Sequence, residues 1–311
     1  MKGIIVYNPT AGPWDMQREM RHMQRELKGA GWALDLVTTH ERGDTQKAAR
    51  QAARQGLDAV WVAGGDGTIN EAVNGLVGSE TALAILPAGT GNIWARQLHL
   101  PITGLTTPLH VRAAAMAQAR GCVRRIDVGA LNDRYFLLWA GIGFDAEVTR
   151  ELEPRDRATK RLGALPYAIA AFMLARHFSG VRTRIVVDGR VIRGRTILAV
   201  ASNVQMYGYF QLARQARLDD GLLDVFVFRG LGFSYIIQHA LKLFSGRHLH
   251  DPKVLQLQAR QMTIWAEEPM PTQVDGDPAG MTPASLRVVP RALRILVPPQ
   301  APASLFCQEV P

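Results

Sequence analysis

Apolar positions along this chain follow two rhythms, and the rhythm changes once. Up to about residue 120, short apolar runs alternate with stretches whose apolar residues recur at helical spacing. The runs at 3–7, 33–38, 58–63 and 82–86 read as strands. Between them, Met16, Met20, Met23 and Leu27 share one face of a helix predicted around 15–28. Ala48, Ala49, Ala52 and Ala53 line a second helix, and Ile69, Ala72, Val73 and Leu76 a third. Two more helices are expected, one ending near Gln97 and one over 110–119. Strands separated by helices imply right-handed crossovers and a mostly parallel sheet.

Near Val123 the pattern turns to strand-like runs in quick succession, at 134–140, 183–187, 191–203, 223–228, 260–265 and 293–297. Asp188-Gly189 between two apolar pairs is a two-residue hairpin signal. Helical stretches interrupt at about 157–177 and 233–244. The expected organisation is an α/β domain over 1–125, a β-rich sandwich domain with helices over 126–297, and a Pro-rich tail over 298–311 that frays.

Composition narrows the class without naming it. A chain of 311 residues with 47% apolar and 20% charged residues can bury two globular cores. No apolar stretch is long enough for a signal peptide core or a membrane span. Cys122 and Cys307 make no disulfide framework and fit a reducing, cytoplasmic setting. The net charge of +9 comes largely from arginine, in groups such as Arg150, Arg155, Arg157, Lys160, Arg161 and Arg190, Arg193, Arg195. No exposed aromatics interleave with these groups and no nucleic-acid motif is present, so nucleic acid is not expected as a partner. A solvated basic surface is the plain reading, and attraction to an anionic membrane the second.

Three loops carry the candidate chemistry. Gly64-Gly65-Asp66-Gly67-Thr68-Ile69-Asn70-Glu71 joins an apolar strand to a helix. Its glycines allow a sharp turn and close approach of backbone to a ligand. The first helical amides lack intrahelical partners and suit phosphate. Asp66 within the turn would repel bare phosphate, which suggests a metal ion or hydroxyl as its partner. Asn8-Pro9-Thr10-Ala11-Gly12 and Leu86-Pro87-Ala88-Gly89-Thr90-Gly91-Asn92 follow two other strands. In a parallel sheet all three loops lie at the carboxyl ends of strands, where such folds bind ligands. They read as one nucleotide site.

Two acidic turns stand in the second half. Arg217-Leu218-Asp219-Asp220-Gly221-Leu222-Leu223-Asp224 offers oxygen ligands for Mg²⁺ or Ca²⁺, or is simply a polar turn before a strand. Val274-Asp275-Gly276-Asp277-Pro278 places two carboxylates around a glycine, either of which could act as a general base, or again forms a turn.

The Gly-Gly-Asp-Gly-Thr-x-Asn-Glu block, the later Gly-Thr-x-Asn, the N-terminal Asn-Pro-x-x-Gly and the Asp-Asp-Gly-Leu-Leu-Asp element occur in an order that resembles the diacylglycerol kinase catalytic superfamily. The likeness runs from Asn8 to about Pro278 and is to its bacterial-type soluble lipid kinases, relatives of sphingosine and ceramide kinases. It implies an α/β domain like those of NAD kinase and phosphofructokinase, followed by a β-sandwich domain. The resemblance implies ATP contacts at Asn8, Pro9, Thr10, Ala11, Gly12, Thr39, Gly65, Asp66, Gly67, Thr68, Ile69, Asn70, Glu71 and Thr90. It implies a structural Mg²⁺ at Asp220 with main-chain oxygens of Arg217 and Leu222. The family's general base falls on Asp277, with Asp66 orienting the metal–nucleotide unit or that base.

The resulting expectation is an ATP-dependent kinase acting on the hydroxyl of diacylglycerol or a similar lipid. It would work at an anionic membrane surface with peripheral association, and the resemblance admits a homodimer. A NAD-kinase-like enzyme with a soluble acceptor, or a catalytically weak nucleotide-binding regulator, is the alternative. The chain departs from the family pattern at three places. Asp277 stands where Glu is usual, Ala11 where Ser is frequent, and Tyr207-Gly208-Tyr209-Phe210 where relatives carry more glycine.

Overall fold

The computed structural model describes residues 1–11, 16–102, 109–152 and 165–307. Gly12, the basic residues Arg155, Arg157, Lys160 and Arg161, and the start of the helix expected from 157 lie outside them. The chain forms two compact units, which within the described residues take 1–126 with 291–307 and 127–152 with 165–290. Where the sequence suggests consecutive domains, the last strand from Arg291 onward and the C-terminal segment therefore join the first unit.

The first unit alternates β1 (Lys2–Tyr7), α1 (Gln17–Gly29), β2 (Ala33–Thr38), α2 (Asp44–Arg54), β3 (Ala59–Gly64), α3 (Asp66–Leu76), β4 (Ala82–Pro87), α4 (Ile93–Gln97) and α5 (Leu109–Ala119). The sheet is parallel in the order β2-β1-β3-β4. β3 and β4 are buried at every position, as expected for central parallel strands covered on both faces. Helical periodicity holds as read: Met20, Met23 and Leu27 of α1 and Ile69, Ala72, Val73 and Leu76 of α3 are buried. Trp32 and Trp61 meet edge to face at 5.2 Å in this core. Small residues let α2 and α3 pack closely, since a Cβ on Gly75 would stand 2.6 Å from the Gln46 carbonyl oxygen.

The second unit is largely antiparallel. It contains the second half of β5 (Cys122–Leu131), then β6 (Arg134–Phe136), β7 (Trp139–Gly143), α6 (Phe144–Leu152), α7 (Leu165–Ala175), β8 (Val181–Val187), β9 (Arg190–Ser202), β10 (Met206–Tyr207), β11 (Phe210–Gln211) and β12 (Leu223–Arg229). There follow α8 (Phe233–Phe244), β13 (Val254–Ala259), β14 (Gln261–Ala266), β15 (Pro271–Val274), β16 (Asp277–Met281) and the long β17 (Ala284–Val297). The strand path is β16-β15-β7-β9-β8-β14-β17, with β12 on β9 and β13 on β12. Asp188 and Gly189 turn the β8–β9 hairpin with φ of 45° and 84°, the mirror-image turn their sequence announces. The early half of β17 pairs with β14, while Arg294 and Ile295 pair in parallel with Ala82 and Leu83 of β4.

Three sequence expectations change. The single strand expected over 134–140 is two, because the Asp275 carboxylate accepts the amides of Leu137, Leu138 and Trp139 at 2.8, 2.9 and 3.0 Å and breaks the run. β13 and the β15–β16 hairpin are strands that the apolar pattern does not reveal. The tail does not fray up to residue 307: Ala301, Leu305 and Phe306 are buried, and the Arg124 guanidinium lies 4.6 Å above the Phe306 ring. No helix among the described residues is long and apolar enough to cross a membrane.

Asp275 gathers three amides in a buried position, and hydrogen bonds to charged groups contribute about 1.5–3 kcal/mol each. Asp275→Ala is expected to lower the main calorimetric transition by several degrees. A melting profile unchanged from the parent chain would refute this role.

Candidate functional site

The three small-residue loops come together at the carboxyl ends of β1, β3 and β4. Asn8 anchors the first: its Oδ1 accepts the Thr10 amide at 2.9 Å and the Thr10 hydroxyl at 2.8 Å. Its Nδ2 donates to the Thr68 hydroxyl oxygen at 3.1 Å, tying this loop to the start of α3. Pro9 and Ala11 complete the turn, with the Ala11 amide donating to the Asn8 carbonyl at 3.1 Å. Thr39, after β2, is buried, and both its amide and its hydroxyl donate to the Tyr7 carbonyl.

Gly65 caps α3 in extended conformation, and the first i→i−4 bond of the helix runs from the Ile69 amide to the Gly65 carbonyl. The amides of Asp66, Gly67 and Thr68 precede that bond, at the positive end of the helix. Ile69 and Asn70 are buried within α3, and Glu71 is half-buried. Ile69 directs its amide into the helix and its side chain into the core, so it supports the loop and offers no polar group to a ligand.

Asp66 has a different partner from the metal or hydroxyl suggested by its sequence context. Its two carboxylate oxygens accept the amides of Ile93 and Trp94 at 3.1 and 3.2 Å, the first two residues of α4. Burial pushes its carboxyl above the usual range, against those amides and the nearby Arg96. The Gly89–Asn92 loop is closed by reciprocal bonds: the Gly89 amide reaches Asn92 Oδ1 at 3.0 Å, and Asn92 Nδ2 reaches the Gly89 carbonyl at 2.8 Å. A Cβ on Gly89 would stand 2.5 Å from the Gly65 Cα, so these loops touch backbone to backbone. Thr90, half-buried, sits at the tip of this second loop.

In the second unit the acidic turn is more crowded than its sequence indicates. Asp220 Oδ1 accepts the Leu222 amide at 3.0 Å, and Asp127, fully buried on β5, accepts the Gly221 amide at 2.6 Å. Burial, with Asp127 and Asp219 alongside, pushes the Asp220 carboxyl upward. Burial and the neighbouring Asp220 raise Asp224 to about 6. Among the described residues no group of three or more acidic, His or Cys side chains is placed to hold a metal. A divalent cation at this turn would therefore depend on Asp220 and main-chain oxygens such as those of Arg217 and Leu222. The part-buried crowd of carboxylates is the kind of charge such an ion relieves, and in that respect the site fits one.

The two carboxylates around Gly276 have separate roles. Asp275 is the amide clamp described above, whereas Asp277 opens β16 and pairs with Arg134 at 2.7 Å. Arg134 also donates to the Pro278 carbonyl at 3.2 Å and so grips both ends of that peptide. Arg134, Asp127 and Asn92 are the residues of these sites that sequence reasoning missed. Asn92 alone left a signal, as part of the Gly-Thr-Gly-Asn loop.

Residues 2–131 match the family described as the diacylglycerol kinase catalytic domain, and residues 139–297 the YegS C-terminal NAD kinase beta sandwich-like domain. A diacylglycerol kinase of Bacillus subtilis (strain 168) is 29% identical over 297 residues, 94% of this chain and 95% of its own. One of Staphylococcus haemolyticus is 30% identical over 298 residues, 94% of this chain and 87% of its own. Among solved structures, a Bacillus anthracis (strain Sterne) protein provisionally named a diacylglycerol kinase superposes with a TM-score of 0.79 at 26% identity, covering 97% and 98% of the two chains.

Three outcomes follow from the geometry. Gly89→Ala forces backbone apart at a contact with no give, and overpacking of this kind costs about 1–3 kcal/mol. A lowered melting temperature by circular dichroism is expected, and Asp66→Asn should lower it too, since a carboxamide turns an N–H toward one of the two amides. Asp224 concerns pH. Its folded value, about 6, lies above the usual 3.8, so its contribution is fully present below pH 3.8 and is lost as pH rises through 6. Asp224→Asn is expected to raise the melting temperature at pH 8 and to change it little at pH 4. The reverse ordering would show that the crowding is not repulsive.

Proposed function

The chain belongs to the diacylglycerol kinase catalytic superfamily and is an ATP-dependent lipid kinase, and from that premise we propose how its residues divide the work. The observation that carries the assignment of roles is the meeting of three loops, through Asn8–Thr68, Gly65–Gly89 and Asp66 with Ile93 and Trp94. The amides of Gly67 and Thr68 donate to phosphate oxygens at the start of α3. The Thr68 hydroxyl oxygen already accepts from Asn8, so its own proton turns outward to the same phosphates. Asn8 to Ala11 and Thr90 border the nucleotide from the neighbouring loops, with Thr39, Asn70 and Glu71 behind them. Asp66 is a positioning residue that holds the two glycine loops at one spacing. Mg²⁺ bound with the nucleotide would supply charge neutralisation on the phosphates, and a divalent cation at the acidic turn would be held by Asp220 with the Arg217 and Leu222 carbonyls and would relieve its crowding.

Asp277 accepts the proton of the lipid hydroxyl as that oxygen attacks the γ-phosphorus and the bond to ADP breaks. Arg134 sets the direction of the carboxylate. An Asp here is one methylene shorter than Glu, and the grip of Arg134 on Asp277 and the Pro278 carbonyl fixes how far it reaches.

The lipid comes from a surface, and the second unit has a face suited to one. Ile169, Phe172 and Met173 of α7 are 52%, 55% and 64% exposed, and Leu241 and Phe244 of α8 are 66% and 77% exposed. Phe172 packs on Phe233 at 6.0 Å and Phe210 on Phe244 at 5.6 Å, which joins α7 and β11 to the two ends of α8. Between Leu165 and Leu218 the only acidic residue is Asp188, and none occurs from Val225 to His250. An apolar ridge in a basic field is the chemistry that docks on anionic lipid.

Transfer of labelled γ-phosphate from ATP to lipids in anionic mixed micelles tests the reading. Diacylglycerol or a related alcohol is expected to take the label, and Asp277→Asn to lower kcat by about a hundredfold or more. Phe172→Glu with Phe244→Glu should reduce flotation with phosphatidylglycerol vesicles while leaving ATP binding intact. Label appearing only in a soluble acceptor would reject the lipid assignment.

A further inference from the structure

A buried polar chain in the second unit is used by none of the roles above. Asp145, the second residue of α6, accepts two hydrogen bonds on Oδ2, from the Tyr207 hydroxyl at 2.7 Å and from Gln273 Nε2 at 2.9 Å. Its other oxygen is buried and has no hydrogen-bond partner among the described residues. The carboxylate occupies space that only a glycine leaves open, because a Cβ on Gly141 of β7 would stand 2.0 Å from Oδ2. Gly141 is the residue directly opposite Gln273 in the β7–β15 ladder. Gln273 is itself buried, and its Oε1 accepts the Gly276 amide at 2.8 Å.

Gly276 and Asp275, with φ of 85° and 49°, form the two-residue turn between β15 and β16, and Asp277 is the first residue past it. A continuous path of hydrogen bonds therefore runs from Asp145 through the Gln273 carboxamide to the Gly276 amide, in the turn one residue before Asp277. An amide has one fixed donor end and one acceptor end. With Asp145 holding the donor end, Gln273 can present only its oxygen to Gly276.

We propose that Asp145 is a positioning residue for phosphoryl transfer, acting through Gln273 on the turn that presents Asp277 to the acceptor hydroxyl. The inference rests on the reading of Asp277 as the base. A buried carboxylate with one orphan oxygen is a poor stabiliser, since the unpartnered atom loses water without replacement. Burial also raises this carboxyl to about 6, against the Tyr207 and Gln273 hydrogen bonds and the nearby amides of Ala146 and Asp145, a strain of the sort that gathers at functional sites. An apolar side chain would fill the place at less cost but could not orient the Gln273 amide.

A double-mutant cycle in the full chain tests this. Asp145→Asn, Asp277→Asn and the pair are assayed for kcat and KM in mixed micelles, with ATP binding measured by calorimetry. The expected result is a fall in kcat of about ten- to a hundredfold for Asp145→Asn, with KM for ATP changed by less than about twofold. In the Asp277→Asn background the same substitution should have no further effect on kcat, because the group it positions is gone. Should Asp145→Asn fail to fold, Gln273→Met cuts the same link and the cycle is run with it. Multiplying effects in the double variant, or an unchanged kcat in the single one, would overturn the inference while leaving Asp277 as base. If Asp277→Asn itself leaves kcat unchanged, the base assignment fails and the positioning role falls with it.

Discussion

Asp66 is the constraint from which the nucleotide half of the molecule takes its form. A carboxylate at the first residue of α3 has little freedom, and here it is held by the first two amides of α4. Those amides have no partners inside so short a helix, so one side chain completes the start of a second element while capping the loop of the first. The closeness of Gly65 and Gly89 then becomes a requirement, because a Cβ on Gly89 would push apart loops that Asp66 draws together. Asn8 and Thr68 add the third loop by a single hydrogen bond.

The second unit uses carboxylates in the same manner, as organisers of backbone amides. Asp275 interrupts what would be one strand, and Asp127 fixes the Gly221 turn from a neighbouring strand. Each converts acidic charge into a fixed turn, and each turn carries one of the proposed site residues beside it. The acidic residue that organises and the acidic residue proposed as the base are close neighbours in sequence, as Asp275 and Asp277 are, and their partners tell them apart. Asp275 meets three amides; Asp277 meets Arg134.

Much of the fold is legible in the sequence because it is written locally. Helical faces in the first unit and the Asp188-Gly189 hairpin depend on spacing and on turn residues that a reader can see. β15 and β16 are not legible, since four residues opening on Pro271 and a stretch with Asp277, Pro278 and Gly280 give a weak strand signal, and they extend because β7 supplies a partner to β15 and β15 to β16. The loops of the nucleotide site are visible for the same reason as the hairpins, their glycines. What joins them is not, because Asp66 finds its partners 27 and 28 residues away, and Arg134 reaches Asp277 across 143. Buried Ile69 shows the converse: a residue inside a motif whose own contribution is to the core.

The path of β17 has a consequence for how the protein comes into being. Its final residues lie parallel to β4, with Arg294 opposite Ala82, so the first unit is closed by a strand from the far end of the chain. During synthesis the nucleotide-binding half emerges first yet stays one strand short until the end of β17 has been made. The second unit is in effect an insertion into the first, able to complete its own ladders while its host waits with an open edge at β4. Birth order and completion order are therefore reversed in this molecule.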